Sequence, residues 1–405
     1  MARVLLAWEL GANFGHISGL APIASELLGR GHEVIAALSD IQESPRFLSP
    51  DVQLLQAPRF ALPRASKAGQ PRPQPPRTYC DVLNASGYED PDQLATMVRS
   101  WRALLRLIGP DLVVYESAPT ALLASRGLTF RKVGFGSGYS VPPRVSPLPA
   151  FLPQLGLPFA EAEKRERQLV QAINEALARS QIPAIRSMSE VFELDATLIK
   201  SVPELDQYGE RSDVDYVGPS YTLDTGGEVD FPAGDAPSVF LYLRPPHAGA
   251  IDAVINELVR APLRVIAVLP TASNEQIARL RLPHVKASTR PAKLDKLTRS
   301  AELAVCHSAV GTGAAFLFAG VPLVLLPTTL EQEMSAWRVA QSGAGVILPA
   351  NQPVSIASAI ERALARTELR ENARKLAQRY GAEGEASRVR LVCDRIEQTL
   401  ERGGS

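Results

Sequence analysis

The chain reads as an α/β protein of two Rossmann-like β/α/β domains facing each other across a cleft, and three observations predict this. Short apolar runs of strand length alternate with segments of helical periodicity. The alternation stops in a Gly- and acid-rich stretch, Leu223 to Asp235, and then restarts. At 405 residues the chain is long enough for two domains of ordinary size. The boundaries that follow are an N-terminal domain over 1–220, a linker over 221–236 and a C-terminal domain over 237–385. A last helix over 386–405 is expected to pack back across the joint.

The elements justify this in order. Arg3 to Ala7 is a first buried strand, and Gly11, Asn13 and Gly15 make a turn before His16. Ile17 to Arg30 is a helix with its apolar face at Leu20, Ile23, Ala24, Leu27 and Leu28. Gly31 stops it, and Glu33 to Leu38 is the next strand. The turn lacks the Gly-x-Gly-x-x-Gly pattern, so a dinucleotide is not expected there. Asp111 to Glu116 is another strand, following Gly109-Pro110. His16 and Glu116 both fall just beyond or at strand C-termini, the edge where open α/β sheets collect ligands. An imidazole titrating near neutral pH suits removal of a hydroxyl proton, and a carboxylate that orients its other nitrogen assists it. The plainer alternatives are a capping or solvent-facing histidine and a solvent-facing carboxylate.

Pro58 to Thr78 carries Arg59, Arg64, Lys67, Arg72 and Arg77 among prolines and no acid. It is expected as an irregular solvated loop. The alternatives are a lid over an acceptor and a weak peripheral contact with anionic lipid headgroups. Gly134-Phe-Gly-Ser-Gly138 follows a strand and brings backbone to the crevice, and Ser140 to Phe159, with six prolines, is expected to loop over a pocket. Phe159 to Ser180 is a helix with a charged face, and Leu198 to Val202 and Tyr216 to Pro219 are short strands.

Beyond the linker, Ser238 to Leu243 is a strand, Ala250 to Arg260 a helix, Arg264 to Leu269 a strand and Glu275 to Leu282 a helix. The segment Ala304 to Gly345 is where chemistry concentrates. Leu303 to Cys306 is a strand, and His307 to Gly313 is a small-residue turn that opens a helix. Val321 to Leu326 is a strand leading to the polar loop Thr328 to Gln332. A turn without bulky side chains lets backbone N–H groups approach an anion, and the helix dipole favours its charge. Arg244, at the end of the first strand of this half, is placed to meet an anion, a surface arginine being the alternative.

Composition removes other classes. Lys plus Arg and Asp plus Glu number 43 each, so no global field recruits nucleic acid. Cys80, Cys306 and Cys393 are widely spaced and fit no metal or disulfide pattern. The first apolar run is too short for a signal peptide and no run reaches membrane-spanning length. A soluble cytoplasmic protein is therefore expected.

Taken together, His307, Gly311-Thr312, Gly320-Val321-Pro322, Pro327, Glu331-Gln332 and Ser342-Gly-Ala-Gly345 stand in a characteristic order and spacing. In these residues the chain resembles the GT-B fold nucleotide-sugar glycosyltransferases, specifically glycosyltransferase family 1 of the macrolide and natural-product type. Gly15-His16 looks like that family's acceptor base, with Glu116 where the family usually has an Asp partner. The resemblance implies that His307 contacts a donor diphosphate, that the N–H groups of Val310, Gly311, Thr312 and Gly313 cradle it, and that Glu331 and Gln332 bind sugar hydroxyls. Gly15, Gly136, Ser137 and Tyr139 are the acceptor-side candidates. The implied reaction moves a sugar, with inversion, from a UDP- or dTDP-sugar to a hydroxyl of a natural-product or lipid-like acceptor. The nucleotide sugar is a co-substrate, and neither a cofactor nor a metal is expected. Two alternatives share this site: a nucleotide-sugar-binding protein without transfer activity and a GT-B sugar-nucleotide epimerase. The chain departs from the family at Ala315, where a ribose-binding Glu is usual, and at Arg244-Pro-Pro-His247, where Gly-Ser is usual.

Overall fold

A computed structural model describes residues 1–11, 15–60, 75–221, 223–245, 248–348, 355–381 and 384–402. Asn13, most of the basic proline-rich run (Arg64, Lys67 and Arg72 included) and His247 lie outside the described residues. The chain forms two compact units, one of Met1–Val217 with Ala386–Ser405 and one of Gly218–Glu385.

The first unit is built on a seven-stranded parallel sheet: β1 (Arg3–Trp8), β2 (Glu33–Leu38), β3 (Gln53–Gln56), β4 (Leu112–Glu116), β5 (Arg131–Gly136), β6 (Ala196–Ile199) and β7 (Asp215–Tyr216). Their spatial order is β3-β2-β1-β4-β5-β6-β7. Winding therefore reverses between β1 and β4, which pair in register from Val4 opposite Leu112 to Trp8 opposite Glu116. Such a reversal opens a crevice beyond the strand ends. Alternate β1 residues Val4, Leu6 and Trp8 share a core with Ile17, Leu20 and Leu27 of the helix Gly15–Gly29. Val392, Cys393 and Ile396 of the chain's last helix, Glu385–Glu401, complete that core. Arg30 holds the same helix through Asp394 at 2.7 Å and Glu397 at 2.6 Å.

The second unit repeats the plan with six parallel strands: β8 (Ser238–Tyr242), β9 (Arg264–Val268), β10 (Val285–Ser288), β11 (Leu303–Cys306), β12 (Leu323–Leu325) and β13 (Gly345–Ile347). The order β10-β9-β8-β11-β12-β13 places its reversal between β8 and β11. The expected helix Glu275 to Leu282 is only one turn and a half, Asn274–Ala278, capped by Ser273 and Gln276. The basic stretch after it contains strand β10. The stretch expected as a linker is hydrogen-bonded into this unit: Leu294 N–H donates to Leu223 O at 2.8 Å, Gly227 N–H to Pro291 O at 3.0 Å and Lys293 N–H to Gly227 O at 2.9 Å. Among the described residues no helix is long and apolar enough to cross a membrane.

Candidate active site

Beyond the C-terminal ends of β1, β4 and β6 three polar side chains meet. His16 is the second residue of the helix Gly15–Gly29, and Glu116 is the last residue of β4. The His16 Nδ1–H donates to Glu116 Oε2 at 2.6 Å. Trp8, the last residue of β1, stacks on the imidazole with ring centres 5.0 Å apart and planes 21° apart. These contacts fix the ring and place the proton on Nδ1, which leaves the Nε2 lone pair to accept another. Gly11 lies against that nitrogen. A Cβ there would sit 2.3 Å from His16 Nε2, and its φ of +94° is one that only glycine adopts easily.

The third side chain is Lys200, whose Nζ donates to Glu116 Oε1 at 3.2 Å. It follows β6 directly, and its own N–H is tied to Gly136 O at 2.7 Å. Glu116 is 2% exposed. Burial alone raises its pKa, but His16 and Lys200 outweigh burial and hold the carboxyl at about 2. The carboxylate is thus anionic throughout the physiological range.

Glu9 is its neighbour and its opposite. It follows β1, is buried, and accepts Thr120 N–H at 3.0 Å and the Thr120 hydroxyl, which also meets Tyr88 Oη at 2.6 Å. Burial outweighs these hydrogen bonds and lifts its pKa to about 8. Of the two carboxyls at the crevice, only Glu116 carries charge at neutral pH.

The acceptor-side candidates divide. Gly15 is exposed, and a Cβ there would touch nothing within 4 Å. Gly136 faces inward, where a Cβ would lie 2.3 Å from Ser140 Oγ, and its carbonyl anchors Lys200. Ser137 is half-buried. Tyr139 donates its N–H to Gln207 Oε1 at 2.7 Å and stacks on Phe151 with ring centres 5.2 Å apart.

In the second unit the strand–turn–helix forms as its sequence suggests. Gly311, at φ +60°, precedes the helix Thr312–Leu317. Gly313 is packed so closely that a Cβ would lie 2.0 Å from Ser308 O. The first N–H groups of such a helix have no intrahelical acceptor. Ala309 N–H goes to Ser335 Oγ at 3.3 Å and Val310 N–H to Ser308 Oγ at 3.4 Å. His307 is committed on both sides: its Nδ1–H donates to Leu326 O at 2.7 Å, and its Nε2 accepts Arg244 N–H at 2.7 Å. Burial lowers its pKa, with Arg244 adding to the effect. A neutral imidazole thus ties the ends of β8 and β12 to the turn. The Arg244 guanidinium is exposed and rests on Tyr242, its Nε 3.1 Å from the phenol oxygen. Gln332 turns its Oε1 back to Thr328 N–H and hydroxyl, both at 2.9 Å, beside half-buried Glu331. Ala315 is buried in the core. A cavity of about 110 Å³ adjoins the turn, lined by Gly311, Thr312, Tyr221, Thr225, Tyr242 and Pro291.

Residues 252–394 match the family described as Erythromycin biosynthesis protein CIII-like, C-terminal domain. Over its full length the chain superposes on the calicheamicin glycosyltransferase CalG4 with a TM-score of 0.73 at 20% identity, covering 100% of this chain and 99% of that one. The glycosyltransferase VinC in complex with dTDP gives 0.65 at 19% identity, covering 99% and 100%. This is a GT-B fold. A PGL/p-HBAD biosynthesis glycosyltransferase of Mycobacterium tuberculosis (strain ATCC 25177 / H37Ra) is 29% identical over 151 residues, 35% of this chain. The match spans about a third of that relative, 34% of its length. Within this GT-B chain the residues that sequence reasoning passed over are Lys200, Glu9 and the cavity wall of Tyr221, Thr225, Tyr242 and Pro291. Lys200 lies within a run read as strand, and Tyr221 and Thr225 lie in or beside one read as linker. For Glu9, Lys200 and the two tyrosines the cue, a polar side chain at a strand end or an aromatic beside a turn, was present.

Proposed function

We propose that this chain is a glycosyltransferase that moves a sugar from a UDP- or dTDP-sugar to a hydroxyl of a small natural-product or lipid-like acceptor, inverting the anomeric carbon. The observation that carries this reading is the 2.6 Å pairing of His16 Nδ1 with a carboxylate held in its ionised form. His16 Nε2 takes the acceptor hydroxyl proton as the oxygen bonds to the anomeric carbon. The bond from that carbon to the diphosphate breaks, and the nucleoside diphosphate leaves with the electron pair. One in-line displacement inverts the centre. Glu116 stabilises the imidazolium that forms and keeps its own charge.

The second unit supplies the donor side. The N–H groups of Gly311 to Gly313 and the Arg244 guanidinium meet the charge developing on the diphosphate. His307 shapes the turn, and Glu331 and Gln332 take the sugar hydroxyls. The cavity beside Gly311 takes the nucleoside between Tyr221, Tyr242 and Pro291. That wall replaces the contact that Ala315 cannot make. The dTDP bound by a protein of the same fold supports the choice of nucleotide. The reading requires no metal, so a chelator should leave turnover unchanged.

The test is a thermal titration with UDP, dTDP and GDP, followed by mass spectrometry of acceptor mixtures incubated with a pool of sugar nucleotides. At a hundredfold excess over Kd a true ligand adds about 2.7 kcal/mol of stability. UDP or dTDP is expected to raise the melting temperature, and an acceptor is expected to gain the mass of one sugar. A binding protein would give the first result alone. An epimerase would alter the donor and leave every acceptor unchanged. No thermal shift with any nucleotide would remove the donor site.

A further inference from the structure

Lys200 touches the one carboxylate on which the base depends, from the side His16 does not use. Glu116 Oε2 accepts from His16 at 2.6 Å, and Oε1 accepts from Lys200 at 3.2 Å. The ammonium is itself held. It is 14% exposed, stands 5.0 Å over the Phe135 ring, and lies close over Gly19, where a Cβ would come to 3.2 Å from Nζ. We propose that Lys200 is a positioning residue for the base: it pins Glu116 by its second oxygen and balances the carboxylate's charge, so that Glu116 orients His16 without trapping it as imidazolium. This rests on the reading of His16 as the base.

The argument is electrostatic. A buried carboxylate facing an imidazole alone favours the imidazolium strongly, because the ion pair is the only neutralisation on offer. An imidazolium cannot accept the acceptor's proton. A cation on the other oxygen makes the Glu116–Lys200 pair neutral, which weakens the carboxylate's hold on a second imidazole proton. Two further titratable groups stand near this pair: Tyr79, which interacts with Glu116, and Glu9, which interacts with Tyr79. Burial lifts the pKa of each, and at neutral pH neither adds charge.

The experiment follows the His16 imidazole by NMR across a pH titration in the unmutated full chain, Lys200→Met, Lys200→Gln and Lys200→Arg, without substrate. The acid limb of kcat/KM is measured in parallel. In Lys200→Met the His16 titration is expected to move up by about one pH unit. The acid limb should follow it, so the rate well below both titrations falls about tenfold and recovers at high pH, with the donor KM unchanged. Lys200→Arg should restore both. An unmoved His16 titration in a folded neutral variant overturns the proposal. So does a chain that folds only with lysine or arginine at 200, since the residue then supports the fold alone. A moved titration without turnover at any pH upholds the clamp and contradicts glycosyl transfer, which separates the two failures.

Discussion

Glu9 follows β1 and Glu116 ends the neighbouring β4; both are buried, yet they differ in charge at neutral pH because Glu116 is paired with His16 and Lys200 and Glu9 with Thr120. Their effects on stability run in opposite directions. Glu116, held at about 2 against 4.5 for a free carboxyl, stabilises the fold above about pH 4.5 and loses that contribution as pH falls towards 2. Glu9, raised to about 8, keeps a proton that the unfolded chain has released, so stability declines as pH rises from about 4.5 to 8 and then levels off. Glu9→Gln removes the second effect. Its melting temperature relative to the unmutated chain should improve by a few °C between pH 5 and pH 8, read by calorimetry at three pH values. Parallel curves would show that Glu9 is ionised throughout.

At the scale of the element, the donor turn depends on close packing. Gly313 sits where a Cβ would overlap Ser308 O, so Gly313→Ala must open the turn. We expect a loss of about 1–3 kcal/mol and the disappearance of the nucleotide-induced thermal shift. A variant that melts lower but keeps the full nucleotide shift would place the diphosphate elsewhere. Apart from the edge strand β7, the strands that the sequence announces are the central ones. Strands β1, β2, β4, β8 and β11 are covered on both faces and read as continuous apolar runs between breakers. The strands missed, β3, β10 and β13, are all at sheet edges. Gln53-Leu-Leu-Gln56 and Val285-Lys-Ala-Ser288 have half-exposed sides and short spans, so the apolar signal is weak where pairing is one-sided. His16 and Glu116 were readable because one lies beyond and the other at the end of a clear strand. Lys200 was not, because which lysine reaches which carboxylate depends on the order β4-β5-β6. Strand order is a property of long-range pairing, which local pattern does not encode.

At the scale of the molecule, the chain leaves its first unit near Val217 and returns to it at Ala386. The returning helix is core: Val392, Cys393 and Ile396 are 4%, 0% and 0% exposed. Each such side chain contributes about 1.5–3 kcal/mol when buried, so deleting residues 386–405 removes on the order of 5 kcal/mol from the first unit. That is comparable to the whole stability of a domain. A chain ending at Glu385 should lose the first unit's cooperative unfolding transition and become protease-sensitive within 1–217, while dTDP or UDP still binds the second unit. Retention of the transition would mean that the helix is dispensable.

In the proposed reaction His16 is the base that takes the acceptor proton. The most direct measurement compares the unmutated chain with His16→Ala for acceptor glycosylation by mass spectrometry and for nucleotide-induced thermal shift in the same preparation. We predict a fall in transfer of about 10²–10⁴-fold with the thermal shift intact. Transfer at an unchanged rate in His16→Ala would contradict the account.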